Sequence, residues 1–116
     1  MRINTDYLKG LMGVIFNAPD HCISIDDLND KGFYLSSDDG IFHGLLLIEY
    51  GFIANEDVDA EDMFLRLTDS GIEFAKGLEI PGTIEKLREI GYTSLPILEF
   101  AVSRLAVRYE QNKHHS

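Results

Sequence analysis

Residues 36–54 read Ser36-Ser37-Asp38-Asp39-Gly40-Ile41-Phe42-His43-Gly44-Leu45-Leu46-Leu47-Ile48-Glu49-Tyr50-Gly51-Phe52-Ile53-Ala54, and this stretch decides the fold. Two serines offer oxygens to the open N–H groups of a helix start, and two aspartates suit the positive end of the helix dipole. Ile41, Leu45 and Ile48 then return at spacings of four and three. That spacing predicts a helix from Asp38 to Tyr50 with those three residues facing inward, widened by Phe42 and Leu46. Gly51 supplies a left-handed stop, and Phe52-Ile53-Ala54 starts a strand.

Downstream, Phe64-Leu65-Arg66-Leu67 reads as a second strand, and the acidic stretch from Asn55 to Asp62 joins the two into a hairpin. Thr68 caps a helix running to about Leu78, whose Ile72, Phe74, Ala75 and Leu78 can pack on the preceding helices. Glu79-Ile80-Pro81-Gly82 is a bend. Ile84, Leu87 and Ile90 mark another amphipathic helix, stopped by Gly91. The last helix begins near Leu95-Pro96, where a proline costs no helical hydrogen bond. Its Leu98, Val102, Leu105 and Tyr109 recur at spacings of four, three and four, with Ile97, Phe100, Ala101 and Ala106 beside them. So wide an apolar surface has two readings: it lies on its own domain, or it forms a homodimer against the same helix of a second chain.

Upstream, Leu8, Leu11, Met12 and Ile15 form one stripe of a helix from Asn4 to Phe16, with Thr5 as its expected N-cap. Asn17-Ala18-Pro19-Asp20 ends it. Cys22, Ile23 and Ile25 suggest a short edge strand. Ser24 and Asp27 stand at capping-box spacing ahead of a two-turn helix from Ile25 to about Lys31, with Gly32 as its stop.

The expected fold is therefore mainly α with a small β-hairpin, in the order helix, short strand, helix, helix, hairpin, helix. That is a winged helix-turn-helix core over residues 1–80, a C-terminal extension of two more helices over 81–111, and a frayed tail at 112–116. A chain of 116 residues suits one hydrophobic core.

Phe42-His43, Leu46-Leu47, Glu49 and Gly51-Phe52-Ile53, followed by Arg66-Leu67-Thr68, Gly71 and Phe74, resemble the signature of a prophage-associated bacterial family of uncharacterised winged-helix proteins. Gly91-Tyr92-Thr93-Ser94-Leu95-Pro96 is similar to that family's tail ahead of its final helix. The resemblance covers about residues 4 to 110 and implies a fold without implying any chemistry. Phe42 stands where the family has Tyr, and no aromatic follows Thr68 where the family often has Trp.

Charge separates the function classes. The formal net charge is −10, and it is concentrated: between Asp20 and Asp62 twelve acidic residues face one basic residue, Lys31. The expected partner-facing acidic surface comprises Asp38, Asp39, Glu49, Glu56, Asp57, Asp59, Glu61 and Asp62. A winged helix reads DNA by placing its third helix in the major groove, with Arg and Lys on helix and wing meeting phosphates. Here residues 38–62 contain no Arg or Lys, so direct DNA binding through that helix is not expected. The expectation is a non-enzymatic protein-interaction module, its acidic face competing for a basic nucleic-acid-binding surface on a partner protein. The alternative is a DNA-binding transcriptional regulator using basic residues elsewhere, drawn from Arg2, Lys9, Lys76, Lys86, Arg88, Arg104 and Arg108.

No catalytic, cofactor or metal site is expected. The lone Cys22 cannot supply a zinc cluster and reads as a small hydrophobe. His21 beside Cys22 lacks further ligands. Asp57, Asp59, Glu61 and Asp62 lack the spacing and turn glycine of an EF-hand loop. No phosphate loop or nucleophile elbow occurs, and Asp69-Ser70 reads as the first turn after Thr68. His43 is expected to be partly buried and hydrogen-bonded, with a contact on the exposed face as the other reading. The longest uncharged apolar run is too short to span a bilayer, and no targeting segment is evident, which places the expected location in the cytoplasm.

Overall fold

The computed structural model describes residues 2–57, 63–90 and 94–114. Among them the chain is mainly helical around a small antiparallel sheet: α1 (Thr5–Asn17), a 3-10 turn (Pro19–His21), β1 (Cys22–Ser24), α2 (Ile25–Asp30), α3 (Asp38–Glu49), β2 (Ile53–Asp57), β3 (Met63–Leu67), α4 (Asp69–Glu79), α5 (Thr83–Ile90) and α6 (Leu95–His114). The sheet order is β1-β3-β2. Cys22 pairs with Arg66 and Ser24 with Phe64, while on the other side of β3 Ile53 pairs with Leu67 and Asp57 with Met63.

Local chemistry starts and stops most of these elements. The Oγ of Ser24, the Oγ of Ser37 and the Oγ1 of Thr68 accept from the backbone N–H groups of Asp27, Gly40 and Gly71. Each satisfies a donor that the helix itself leaves open. The N-cap of α1 is Asn4 rather than Thr5: the Asn4 Oδ1 accepts from the Tyr7 N–H at 3.1 Å, and Thr5 lies buried in the first turn. An Asx side chain one residue earlier takes the capping geometry, which frees Thr5 to turn inward. Gly51, at φ +79, turns the chain out of α3 as its position suggests. Asp20 and His21 are left-handed without being glycines, at φ 57 and 55. His21 is held there by stacking on Phe16 at 4.8 Å and by its Nδ1 contact of 2.7 Å to the Phe16 carbonyl. The Asp20 carbonyl accepts from the Arg66 guanidinium at 3.0 Å. Ile25 belongs to α2, not to the edge strand.

One core runs through the described elements. Leu8, Leu11, Met12 and Ile15 of α1 meet Phe74, Ala75 and Leu78 of α4, with Leu28, Leu47, Leu65 and Leu67 closing one side. Ile84 and Leu87 of α5 and Leu95, Leu98 and Val102 of α6 continue the same cluster. Leu98 and Val102 thus pack on their own chain, Leu105 is half-buried, and Tyr109 is 40% exposed. The buried face of α6 ends at Val102, and its last twelve residues, about 18 Å of helix, carry no buried side chain among the described residues. The molecule is accordingly elongated, 51 × 30 × 22 Å. No helix among the described residues is long and apolar enough to cross a membrane.

The inward stripe expected on α3 is overturned. Ile41 is 48% exposed, Leu45 61% and Ile48 37%, whereas Gly40, His43, Gly44 and Leu47 are buried. Both sets satisfy the same helical period. What selects between them is space: a Cβ at position 40 would collide with the Tyr34 carbonyl and stand 2.7 Å from the Leu35 Cα. The small side of α3 therefore faces the chain that precedes it, and the large aliphatic residues are turned outward.

Candidate functional site

The outward face of α3 forms a candidate protein-docking surface with the hairpin. Ile41, Leu45 and Ile48 line one wall of a groove of about 190 Å³, Met63 and Asn55 line the other, and Leu11, Leu35, Ile53 and Leu65 contribute to its lining. Met63 is 47% exposed at the start of β3, and Tyr34 and Tyr50 are exposed near the two ends of α3. Large exposed aliphatic residues gathered on one groove are a mark of an interaction surface, unlike single ones scattered over a protein.

Carboxylates stand at the two ends of α3 and along β2. Asp38 and Asp39 stand exposed in the first turn of α3, and Glu49 stands exposed in its last. Glu56 is in β2 and not in a loop, and its Oε1 accepts from the Arg66 Nε at 2.7 Å, an ion pair that raises the guanidinium further above its usual range. Part of its charge is thereby neutralised. Asp57 ends β2, and Asp59, Glu61 and Asp62 lie outside the described residues.

His43 is buried completely, away from the exposed face. Its Nδ1–H donates to the Asp39 carbonyl at 2.7 Å, while its Nε2 accepts the Asn4 backbone N–H at 2.9 Å. Those two contacts define one neutral tautomer. The ring also packs beside Tyr7 at 4.8 Å and Phe42 at 5.1 Å. Burial pushes the Tyr7 phenol above its ordinary pKa. His43 is thus a pin between the start of α1 and α3. Replacing His43 with Ala removes the acceptor of a backbone N–H and leaves a void, with an expected loss of about 2 kcal/mol in urea unfolding; His43→Gln, which can still accept, should recover part of it.

A joint between the strands and α4 accounts for the other half of the motif. The Thr68 Oγ1 donates to the Gly51 carbonyl at 2.5 Å and accepts from the Gly71 N–H at 3.1 Å, while the Thr68 N–H donates to the Phe52 carbonyl at 3.1 Å. The Phe52 ring stacks on Phe74 at 4.8 Å. Gly51, Phe52, Thr68, Gly71 and Phe74 therefore work together on structure.

A broader cleft of about 1050 Å³ opens between α1, the 3-10 turn, β1 and α2, lined by Asp6, Lys9, Cys22, Asp27, Asp30, Lys31 and Glu79 among others. Both charge signs occur in its lining, and Cys22 is half-buried there. Among the described residues no three His, Cys, Asp or Glu side chains are grouped to hold a metal ion. Several basic residues outside α3 are engaged with acids: Arg88 with Asp6 at 2.5 Å, Lys86 with Glu89 at 3.3 Å, and Lys76 with Glu73 at 3.9 Å. Compared with protein-family models, curated proteins and solved structures, the chain has no match in any of the three.

Proposed function

We propose that this chain is a non-enzymatic, winged-helix-type protein-interaction module whose docking face is the outer side of α3 together with the hairpin. The observation that carries the proposal is the exposed Ile41–Leu45–Ile48 stripe, on a helix whose two ends carry the exposed carboxylates of Asp38 and Glu49. In a DNA-reading winged helix this surface would carry the guanidinium and ammonium groups that meet phosphates. Aliphatic side chains offer a phosphate nothing, and carboxylates repel it. The same surface suits an amphipathic protein segment with an apolar side and basic flanks: the groove desolvates the apolar side, and the carboxylates draw the flanks and exclude acidic competitors.

The element order supports the winged-helix reading, with β1 and the β2–β3 hairpin in one three-stranded sheet. The resemblance to the prophage-associated winged-helix family points the same way. Carboxylates standing where phosphates would lie also fit a partner whose own basic surface binds nucleic acid, and the apolar stripe gives that partner a contact DNA does not offer.

The test is an NMR titration of the 15N-labelled protein with two probes at about 50 mM salt, where exposed charges act over roughly 14 Å. One is an amphipathic Leu/Lys helical peptide, the other a mixed pool of short DNA duplexes. The peptide should shift the resonances of α3 and Met63, and Leu45→Lys should abolish that response without altering the rest of the spectrum. The duplexes should shift nothing. Duplex binding that weakens steeply with salt would overturn the proposal and put in its place a regulator using a basic surface outside α3.

A further inference from the structure

A second unpartnered apolar face lies at the other end of the chain. On α6, Ile97, Phe100 and Val107 are 51%, 68% and 55% exposed, with the Arg104 guanidinium 5.9 Å from the Phe100 ring centroid. They stand opposite Leu95, Leu98 and Val102, which are in the core. At 100° per residue the outer stripe centres on Phe100, Arg104 and Val107, and Arg108 flanks it.

This stripe has the chemistry that the α3 groove calls for. Ile41 to Ile48 and Phe100 to Val107 are each seven residues apart, about 10.5 Å along a helix, so two turns of one match two turns of the other. The charges are opposite: the ends of α3 on the groove's side carry Asp38 and Glu49, and the stripe carries Arg104 with Arg108 at its flank. Within one chain both faces stay exposed, because α6 is held on α4 and α5 while α3 is held on β2.

We infer that the outer face of α6 from a second copy of this chain, Ile97 to Arg108, occupies the α3 groove. The inference rests on the docking face proposed above and names its occupant. Joining two different surfaces has two outcomes: a reciprocal pair about a two-fold axis, or a heterologous contact that continues head to tail. A single helix-in-groove contact is smaller than the roughly 1,200 Å² at which specific interfaces begin, so the association is weak and strengthens when two contacts close together.

Sedimentation of the whole chain up to about 1 mM, a concentration that detects millimolar dissociation constants, should show concentration-dependent association. Leu45→Lys, which disables the groove, and Arg104→Glu/Arg108→Glu, which disables the helix, should each sediment as monomer. The two variants are complementary, since one retains the helix and the other the groove. When the 15N-labelled helix variant is mixed with the unlabelled groove variant, the resonances of Ile41, Leu45 and Ile48 should shift; neither variant should show that shift on raising its own concentration. A silent mixture overturns the inference. So does association that survives Leu45→Lys but not the helix substitution, which would mean that α6 pairs with α6. A wild-type chain that stays monomeric yet binds the Leu/Lys peptide at α3 overturns only this inference; one that does neither overturns the docking face as well.

Discussion

Gly71→Ala is expected to lower the unfolding free energy by at least about 3 kcal/mol, near the upper end for overpacking. Against a typical total of 5–15 kcal/mol that is enough to leave a sizeable unfolded fraction. The added Cβ would collide with the Phe52 carbonyl, which already accepts the Thr68 N–H. The collision partner is backbone, not a side-chain end that can swing aside, so relief requires parting the β2 entrance from the α4 entrance. That would loosen the Thr68 bonds and the Phe52–Phe74 stack together. Urea unfolding followed by far-UV circular dichroism measures the loss. Gly44→Ala is the control: its Cβ would meet only the Leu35 Cδ2, at an ordinary 3.6 Å, inside a helix. There alanine's better propensity, up to about 1 kcal/mol, should leave stability unchanged or raised. Equal losses at both glycines would refute the steric account.

Leu47→Ala and Leu45→Ala should differ sharply although the two residues stand two apart on one helix. Leu47 is fully buried and Leu45 is 61% exposed. Truncating Leu47 leaves a cavity among close-packed neighbours and should cost about 3 kcal/mol. Truncating Leu45 should stay within about 0.5 kcal/mol. The same urea experiment reads both. Were the sequence-predicted stripe the inner one, the order would be reversed, so this pair tests the orientation of α3 and with it the docking face.

The sequence made helix boundaries legible wherever they depend on neighbours along the chain. Ser24, Ser37 and Thr68 are caps because a hydroxyl one position before a helix meets an open N–H, and Gly32 and Gly51 stop helices through left-handed dihedrals available to them at little cost. Orientation was less legible because it depends on residues far away. The inner side of α3 consists of two glycines, an imidazole and one leucine, so counting apolar residues favours the wrong side. The signal was present in Gly40, which marks a point that something approaches closely, but what approaches is the 34–35 backbone. His43 is buried because Asn4, 39 residues earlier, offers it an N–H. The acidic residues were legible as charge, yet Glu56 is paired because Arg66 faces it from the neighbouring strand.

The overhang of α6 also has a mechanical meaning. Beyond the stretch that faces α4 the helix is a cantilever, and its root is the seam with α4, where Gly77 lies so close to Val102 that a methyl group would not fit between them. A load applied near the end of α6 acts on that seam with most of the free length as its lever arm. Because the seam has no slack, the load passes into α4, whose opposite end is fastened to the Gly51–Phe52 carbonyls. The tip of the last helix and the exit from α3 are thus two ends of a single stiff linkage.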